Sequence, residues 1–256
     1  MKAKKSLGQH FLTSTRALDT IIHAGNLSEE DTVLEIGPGK GVLTERLLER
    51  AGRVVAVEKD DELFELLSKK FEGEVELGKL ELIHGDILTF EPKFDRYKLV
   101  ANIPYNITGA ILEKFLSCDN QPESMVLLVQ KEVAERIVAR DDKESILSIS
   151  VKIYGEPKYV EKVLAGSFSP APRVDSAIIL ISNISKERLS GVEEGKFFRF
   201  LRAGFSSKRK KLSSNLSKIA PKERVLEVFK ELGLEENLRA EDLKVERWVE
   251  IVSKLY

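Results

Sequence analysis

The chain has 256 residues, of which 42% are apolar and 32% are charged, and its net charge is −1. The apolar content indicates a globular protein, and the length allows one large and one small domain. No apolar run approaches the roughly 18 residues of a membrane helix, and the N-terminus lacks the apolar core of a secretory signal, so we expect no membrane span. Cys118 is the only cysteine, which excludes an internal disulfide and predicts a cytoplasmic protein, while the scarcity of Cys, Met and Gln predicts a heat-adapted one.

Strand-like runs alternate with amphipathic stretches of helical length from Thr32 to about Val151. This alternation is typical of an α/β fold in which helices cover both faces of a parallel sheet. Before the first strand, Ser14 or Thr15 is expected to cap a helix that ends near Ala24. The seven predicted strands are Thr32–Ile36, Arg53–Glu58, Leu80–His84, Lys98–Asn102, Met125–Gln130, Lys158–Leu164 and Ser176–Ile181.

The pattern changes after Asn183, where apolar residues recur at spacings of three and four without any strand-like run. We therefore predict a first domain over residues 1–183, which includes the N-terminal helix, and a small helical domain over residues 184–256. Within the second domain, Pro221 suits the first position of a helix and Gly233 its C-cap.

Charge is unevenly distributed between these two parts. Residues 1–185 carry 24 basic and 30 acidic side chains, whereas residues 186–256 carry 17 and 12. Residues 196–222 contain nine basic side chains and no acidic one. A solvated helix face usually mixes both signs, so this segment favours contact with a polyanion such as nucleic acid.

The most informative stretch follows the fourth predicted strand and has the sequence Asn102-Ile103-Pro104-Tyr105-Asn106. The exocyclic amine of adenine is a poor nucleophile because its lone pair is delocalised into the ring, and it attacks only if that conjugation is loosened. The Asn102 amide oxygen and a main-chain carbonyl next to Pro104 could accept the amine hydrogens, while the ring of Tyr105 stacks on the base. A strand followed by a turn and an N-cap would also contain Asn and Pro, so both interpretations stay open at this point.

A glycine-rich turn, Gly37-Pro38-Gly39-Lys40-Gly41, follows the first predicted strand. Glu58 ends the second strand and suits bidentate bonding to ribose hydroxyls, and Asp86 follows the third and could accept from an adenine amine. The turn has Val42 where a dinucleotide fingerprint has its third glycine, it lacks a P-loop ending, and no acid or base for hydride transfer is evident. We therefore favour an S-adenosylmethionine pocket over an NAD pocket. The histidines show no metal-ligand spacing.

The sequence resembles the small-subunit ribosomal RNA adenine N6,N6-dimethyltransferases, the KsgA family, over nearly the whole chain. Its motifs occur in the same order along the sequence, which makes the resemblance highly specific. They are residues 7–12 (LGQHFL), 34–39 (LEIGPG), 57–58 (VE), 85–86 (GD), 102–106 (NIPYN), 130–136 (QKEVAER), 168–176 (FSPAPRVDS) and 205–212 (FSSKRKKL).

The resemblance implies a Rossmann-like class I methyltransferase sheet, followed by a small all-α domain that binds RNA. It implies S-adenosylmethionine as methyl donor, S-adenosylhomocysteine as product and no required metal. The expected substrate is two adjacent adenosines near the 3′ end of small-subunit rRNA in a 30S assembly intermediate, and the enzyme is expected to act as a monomer.

The resemblance also assigns roles to residues of this chain. Phe168 and Tyr105 are expected to sandwich the flipped adenine, and no general base is required because the attacking nitrogen loses its proton after it becomes cationic. The expected cofactor-site residues are His10, Leu12, Gly37, Gly39, Glu58, Asp86 and Asn102. The expected catalytic residues are Asn102, Pro104, Tyr105 and Phe168. The expected RNA-binding residues are Arg202, Lys208, Arg209, Lys210 and Lys211.

Two other functions remain possible from the sequence. The related macrolide-resistance methyltransferases share the catalytic motifs but modify an adenosine of large-subunit RNA. The opening motif and residues 205–212 favour the small-subunit substrate. A ribosome-assembly factor that keeps the fold without the chemistry is a second alternative, although intact Asn102, Tyr105 and Phe168 argue against it.

Overall fold

The computed structural model describes residues 9–255, so Leu7 and Gly8 of the opening motif, and most of the stretch judged not to be a secretory signal, lie outside the described residues. A seven-stranded sheet dominates the structure. Its strands are β2 (Thr32–Ile36), β3 (Arg53–Glu58), β4 (Leu80–His84), β5 (Tyr97–Asn102), β6 (Ser124–Gln130), β7 (Glu156–Val163) and β9 (Ser176–Ser182). Their order across the sheet is β4-β3-β2-β5-β6-β9-β7. Three of the predicted strands have the predicted bounds, and three differ by one residue at one end. Strand β7 begins two residues before its predicted start and ends one residue before its predicted end.

The sheet is mixed. Strands β2 to β6 pair in parallel, and β9 and β7 continue the sheet antiparallel, with a register shift between Tyr159 and Glu161. Strands β2, β3, β5 and β6 are buried on both faces along most of their length, which explains their near-continuous apolar runs, whereas the edge strand β4 is partly exposed. Parallel pairing also brings the carboxyl ends of β2, β3, β4 and β5 to one edge of the sheet.

Residues 9–255 contain eleven α-helices. Their bounds are α1 (Thr15–Gly25), α2 (Val42–Leu48), α3 (Asp61–Lys70), α4 (Glu72–Glu76), α5 (Thr108–Ser117), α6 (Lys131–Val138), α7 (Ile146–Lys152), α8 (Glu194–Gly204), α9 (Leu212–Leu216), α10 (Lys222–Glu231) and α11 (Val245–Leu255). Ser14 caps α1, because its hydroxyl accepts the N–H of Ala17 at 3.3 Å. Within residues 9–255, no helix has the length and apolar content that a membrane crossing requires.

A second, two-stranded sheet was not predicted. It pairs β1 (Phe11–Leu12) with β8 (Phe168–Ser169) antiparallel, so Leu12 lies opposite Phe168. The Thr13 N–H and hydroxyl extend this pairing by donating to the Ser167 carbonyl, at 2.8 and 2.9 Å. The segment that precedes α1 is thereby fixed to a loop more than 150 residues away in sequence.

The chain forms two compact units. The first contains the residues up to Ala134 together with Glu156–Ile184, and the second contains Glu135–Gly155 together with the chain from Ser185. The predicted division at residue 183 therefore needs one correction, because residues 135–155 belong to the second unit.

A buried ion cluster explains why residues 135–155 belong there. The side chain of Glu144 is fully buried, and both of its oxygens accept from Lys152, at 2.8 and 3.0 Å. The ammonium of Lys244 lies 3.4 Å from the same carboxylate. Removing one partner of a buried ion pair costs several kcal/mol, so this cluster ties the segment to the rest of the second unit.

The ends of α10 are shifted by about one residue from their predicted positions. Pro221 is the N-cap of α10 and Lys222 its first residue, whereas the sequence placed Pro221 at the first helical position. At the other end Leu232 is the C-cap, and Gly233 follows it with φ of +62°, the left-handed conformation that favours glycine.

Candidate active site

A cavity of about 260 Å³ lies where the carboxyl ends of the parallel strands meet. It is formed entirely by the first unit. Nine of the predicted site residues line it, namely His10, Leu12, Gly37, Gly39, Glu58, Asp86, Asn102, Pro104 and Tyr105. The topology explains this grouping, because ligands of open α/β sheets bind outside the carboxyl ends of the strands.

The glycine-rich turn between β2 and α2 forms one wall of the cavity. Gly37 and Gly39 have φ of +63° and +61°, a conformation that other residues rarely adopt. A Cβ on Gly39 would lie 3.1 Å from the ring of Phe11, whereas one on Gly37 would meet nothing within 4 Å. Gly37 is therefore required by its backbone conformation, and Gly39 by both conformation and space.

Glu58 connects the turn to the end of β3. One oxygen of its buried carboxylate accepts the N–H of Gly39 at 3.0 Å, and the other accepts the N–H of Asp60 at 2.8 Å. Burial raises the pKa of Glu58, and these hydrogen bonds oppose the shift. A carboxylate has about four lone-pair sites, so Glu58 keeps acceptors for ligand hydroxyls.

Asp86 lies on the same edge, beyond β4. Its carboxylate accepts from the ammonium of Lys59 at 2.7 Å and from the N–H of Leu88 at 2.9 Å. The hydrogen bond from Lys59 is the main reason that the pKa of Asp86 lies below its ordinary value. Asp86 is therefore an ionised acceptor at neutral pH. Lys59 also lines the cavity, and sequence reasoning did not single it out.

Asn102 is oriented by the segment that precedes α1. Its side-chain nitrogen donates to the main-chain carbonyl of His10 at 3.0 Å. The amide oxygen is bonded by no donor among residues 9–255, and it remains available as an acceptor at the cavity. The sequence predicts that this amide oxygen accepts a hydrogen of the adenine amine.

Tyr105 begins a short 3₁₀ turn, Tyr105–Ile107, directly after Pro104. Its hydroxyl shares a hydrogen bond of 2.6 Å with the hydroxyl of Ser176, a residue with no exposed surface. Burial raises the pKa of the phenol, so it stays protonated at neutral pH. The half-buried ring stacks on His10, with centroids 5.9 Å apart and an interplanar angle of 22°.

Phe168 is placed differently from the expectation. It lies in β8 opposite Leu12, is only 5% exposed and belongs to the core cluster of buried residues. It is absent from the cavity lining, and the ring that stacks on Tyr105 is that of His10. The expected sandwich of Tyr105 and Phe168 is thus not formed in this structure, because the pairing of β1 with β8 takes Phe168 into the core.

The segment Gln9–Thr13 contributes more to the site than its motif suggested. The amide of Gln9 donates to Asp60 at 3.1 Å, and the ammonium of Lys40 lies 4.8 Å from the centre of the Phe11 ring. His10 Nδ1 is 2.8 Å from the carbonyl of Pro170. This segment therefore contacts both the glycine-rich turn and the loop that follows Phe168.

Glu35 is a second site residue that sequence reasoning did not assign. It has no exposed surface and lines the cavity, and neither of its carboxyl oxygens has a hydrogen-bond partner among the described residues. Burial, with a smaller contribution from the charge of Glu58, raises its pKa to about 8. The buried hydroxyl of Thr44 lies close enough to lower the pKa in part, but it does not reach hydrogen-bond geometry. The sequence feature that could have identified Glu35 is its position as an acidic residue within the apolar run Val33-Leu34-Glu35-Ile36.

The predicted RNA-binding residues all lie in the second unit. Arg202 is exposed on α8, and Lys208, Arg209, Lys210 and Lys211 are exposed between α8 and α9. Among residues 9–255, none of these five side chains forms an ion pair with a carboxylate. Their charges are thus available to an anionic partner.

The cavity fits an S-adenosylmethionine-type ligand. The turn lets the backbone approach closely, and the acceptors of Glu58 and Asp86 suit ribose hydroxyls and an adenine amine. Within the described part of the chain, no cluster of three His, Cys, Asp or Glu side chains could hold a metal ion.

Comparison with known proteins identifies the family. The sequence matches the family of ribosomal RNA adenine dimethylases over residues 1–256. The chain belongs to this family. As a ribosomal RNA adenine dimethylase, it is an S-adenosylmethionine-dependent enzyme that methylates adenine in rRNA.

Individual relatives can be aligned with nearly the whole length of this dimethylase. The ribosomal RNA small subunit methyltransferase A of Dehalococcoides mccartyi is 46% identical in an alignment of 255 positions that covers 97% of this chain and 87% of the relative. The protein of the same name from a Nostoc species is 38% identical over 274 residues, covering 100% and 98%.

Two solved structures share the dimethylase fold. A dimethyladenosine transferase from Plasmodium falciparum has a TM-score of 0.82 and 30% identity, covering 94% of this chain and 96% of that one. The 23S rRNA methyltransferase ErmE has a TM-score of 0.80 and 28% identity, covering 96% and 99%. The Rossmann-like methyltransferase sheet with a helical part towards the C-terminus is thereby confirmed.

Proposed function

We propose that this dimethylase transfers methyl groups from S-adenosylmethionine to N6 of two adjacent adenosines near the 3′ end of small-subunit rRNA. The product would be N6,N6-dimethyladenosine within a 30S assembly intermediate. The enzyme would act as a monomer in the cytoplasm, where its single free cysteine would stay reduced.

The relatives named ribosomal RNA small subunit methyltransferase A are the observation that carries this proposal. They are 37–46% identical to this chain, and they cover at least 97% of it in the examples from Dehalococcoides, Nostoc and Fusobacterium. ErmE, the solved structure named for 23S rRNA, is 28% identical. The sequence distances therefore favour the small-subunit substrate over the large-subunit one.

The cofactor would be held by the residues that line the cavity around the glycine-rich turn. Glu58 would accept the ribose hydroxyls and Asp86 the adenine amine, while Gly37 and Gly39 allow close approach of the backbone. His10 and Leu12 would close the cavity from the segment before α1. When bound, S-adenosylmethionine supplies an electrophilic sulfonium methyl group, and S-adenosylhomocysteine is its product.

The target adenine would be held next to Asn102, Pro104 and Tyr105. The Asn102 amide oxygen is oriented by the bond from its nitrogen to His10 and can accept one amine hydrogen. The Tyr105 ring is fixed through Ser176 and can stack on the base in place of, or beside, the imidazole of His10. Phe168 could complete a sandwich only if β8 leaves the position seen here. Catalysis then rests on positioning and desolvation, without a dedicated general base.

The hydrogen bond between Tyr105 and Ser176 gives a first prediction. Ser176→Ala should lower methyl transfer about fivefold, because an orienting hydrogen bond is worth about 1 kcal/mol. Tyr105→Phe removes the same bond from the other side and keeps the stacking ring, so the double variant should be no slower than either single variant. Single-turnover rates of the three variants measure this, and additive losses would contradict the proposed coupling.

The basic residues between α8 and α9 give a second prediction. Lys208→Gln with Lys210→Gln should reduce the slope of log affinity against log salt by about 0.7–0.9 for each lysine that neutralises a phosphate. RNA affinity measured at several salt concentrations tests this. Lys230→Gln, which removes an exposed charge on α10 outside residues 196–222, is the matched control and should leave the slope unchanged. A wild-type affinity that does not depend on salt would contradict an RNA-binding role.

The decisive experiment is incubation with labelled S-adenosylmethionine and unmethylated 30S subunits, followed by nuclease digestion and chromatography of the nucleosides. We expect N6,N6-dimethyladenosine in the small-subunit RNA. Product on protein-free 23S RNA alone would move the assignment to the large-subunit enzymes. Binding to 30S particles without any product would favour an assembly factor that has lost the chemistry.

A further inference from the structure

Asn215 on α9 is the centre of a polar cluster that the basic motif does not explain. Asn215 is 1% exposed. Its side-chain nitrogen donates to two main-chain carbonyls, that of Gly204 at 2.7 Å and that of Ser207 at 3.1 Å. A single buried amide therefore fixes both ends of the loop formed by residues 204–207.

Lys218 lies over this loop. Its ammonium donates to the hydroxyl of Ser206 at 2.8 Å, to the Asn215 amide oxygen at 3.3 Å and to the hydroxyl of Ser207 at 3.4 Å. All three acceptors are neutral, and Lys218 forms no ion pair with a carboxylate among residues 9–255. The cluster thus keeps a full positive charge, held in one place by three oxygens.

The loop of residues 204–207 also packs against buried side chains of the second unit. The ring of Phe205 stacks on Trp248, with centroids 5.8 Å apart. A Cβ on Gly204 would lie 2.3 Å from Trp248 and 2.9 Å from Leu212, so the backbone is packed directly against these side chains. The positions of Ser206 and Ser207 are therefore set by the core of the second unit.

We propose that Lys218, together with the hydroxyls of Ser206 and Ser207, binds one phosphodiester group of the RNA backbone. This inference rests on the proposed function, since it assigns a phosphate position to the RNA-binding unit. Both serine oxygens accept from the ammonium. The Ser207 proton is left free to be donated outward, whereas the Ser206 hydroxyl donates to the Asn215 amide oxygen at 3.4 Å, a long bond that it can exchange for one to an anion. An anion at this place would meet a fixed positive charge, the free hydroxyl of Ser207 and, after exchange of its bond to Asn215, the hydroxyl of Ser206.

The surroundings favour phosphate over a protein carboxylate. The cluster lies within residues 196–222, which contain nine basic side chains and no acidic one, and the exposed Lys208–Lys211 directly follow Ser207. One isolated carboxylate would need only one of these charges. A row of phosphates along an RNA strand can use the cluster and the neighbouring lysines together.

The test compares Lys218→Gln with Lys230→Gln, a control of equal charge change outside the cluster. RNA affinity is measured against salt with a stem-loop fragment of small-subunit rRNA. For Lys218→Gln, one lost phosphate contact corresponds to a slope smaller by about 0.7–0.9 and a five- to eightfold weaker affinity at about 0.1 M salt. Ser207→Ala should weaken binding with little change in slope, since it removes a donor but no charge. Thermal unfolding checks that each variant is folded.

The outcomes are distinct from those of the methylation assay. If wild type methylates 30S subunits while Lys218→Gln binds RNA like Lys230→Gln, the phosphate site is wrong and the proposed function stands. If wild type methylates no rRNA, the proposed function fails whatever the cluster binds. A third experiment measures thermal unfolding in the presence of inorganic phosphate. Saturable stabilisation of wild type but not of Lys218→Gln, with equal RNA affinities, would assign the cluster to free phosphate and overturn the proposal.

Discussion

Asn102→Ala should slow methyl transfer by about 10²–10³-fold, the range found when one precisely placed polar group is removed from an active site. The reason is that Ala leaves no acceptor for the amine hydrogen of the target base. Cofactor affinity should change much less, because Glu58, Asp86 and the glycine-rich turn are untouched. Single-turnover rates and calorimetric binding of S-adenosylhomocysteine measure the two effects separately. Equal losses in both would contradict the proposed role.

Asn102→Asp separates the two hydrogen-bonding roles of the Asn102 side chain. Asn102 also donates to the carbonyl of His10, so Ala removes this brace together with the acceptor. Asn102→Asp keeps acceptor oxygens but cannot donate to His10. It should therefore retain more activity than Asn102→Ala if the acceptor is what matters. Asn106→Ala changes a neighbouring exposed amide of the same cavity and serves as the control.

The parallel part of the fold could be predicted from the sequence almost to the residue. Strand β2 is an apolar run that ends at the glycine-rich turn, and β3 is one that ends before Lys59-Asp60. Because glycine and charged residues interrupt an apolar run, they make the ends of these strands predictable. Because the strands pair in parallel, their last residues had to meet at one edge. This is why Glu58, Asp86 and Asn102 could be placed together before their geometry was known.

The parts that were missed depend on contacts distant in sequence. Strands β1 and β8 have two residues each, which is too short for any periodicity, and their pairing moved Phe168 into the core. Residues 135–155 carry ordinary local patterns. Contacts such as those of buried Glu144 with Lys244 and of Tyr154 with Glu194 show which unit they join. Local sequence patterns contain no information about such partners.

The same limit applies within the cavity. The sequence identified Asn102 and Tyr105 as functional residues, but it could not show that their partners are His10 and Ser176. Glu35 was visible as an acid in an apolar strand, yet whether a buried acid is paired depends on the residues that surround it. Here Thr44 lies nearby without bonding it, and Glu58 adds a like charge.

Glu35 should make the stability of the cofactor-free protein fall as pH rises from about 5 to 8. The folded protein holds the carboxyl proton up to a pKa of about 8, whereas the unfolded chain releases it near the ordinary value of 4.5. The folded state therefore binds more protons across this window, and its free energy of unfolding decreases as pH rises, in total by on the order of 4–5 kcal/mol. The cause is the unpaired burial of the charged form.

Glu35→Gln removes this titration while preserving the shape of the side chain. Denaturant unfolding at a series of pH values should show the variant and wild type nearly equal at pH 5, with the variant more stable by a few kcal/mol at pH 8. Glu76→Gln, an exposed carboxyl on α4, is the matched control and should stay within about 0.5 kcal/mol of wild type throughout. A difference between Glu35→Gln and wild type that shrinks towards pH 8 would mean that Glu35 is ionised and paired in the folded protein, which would require a cationic partner at the end of β2.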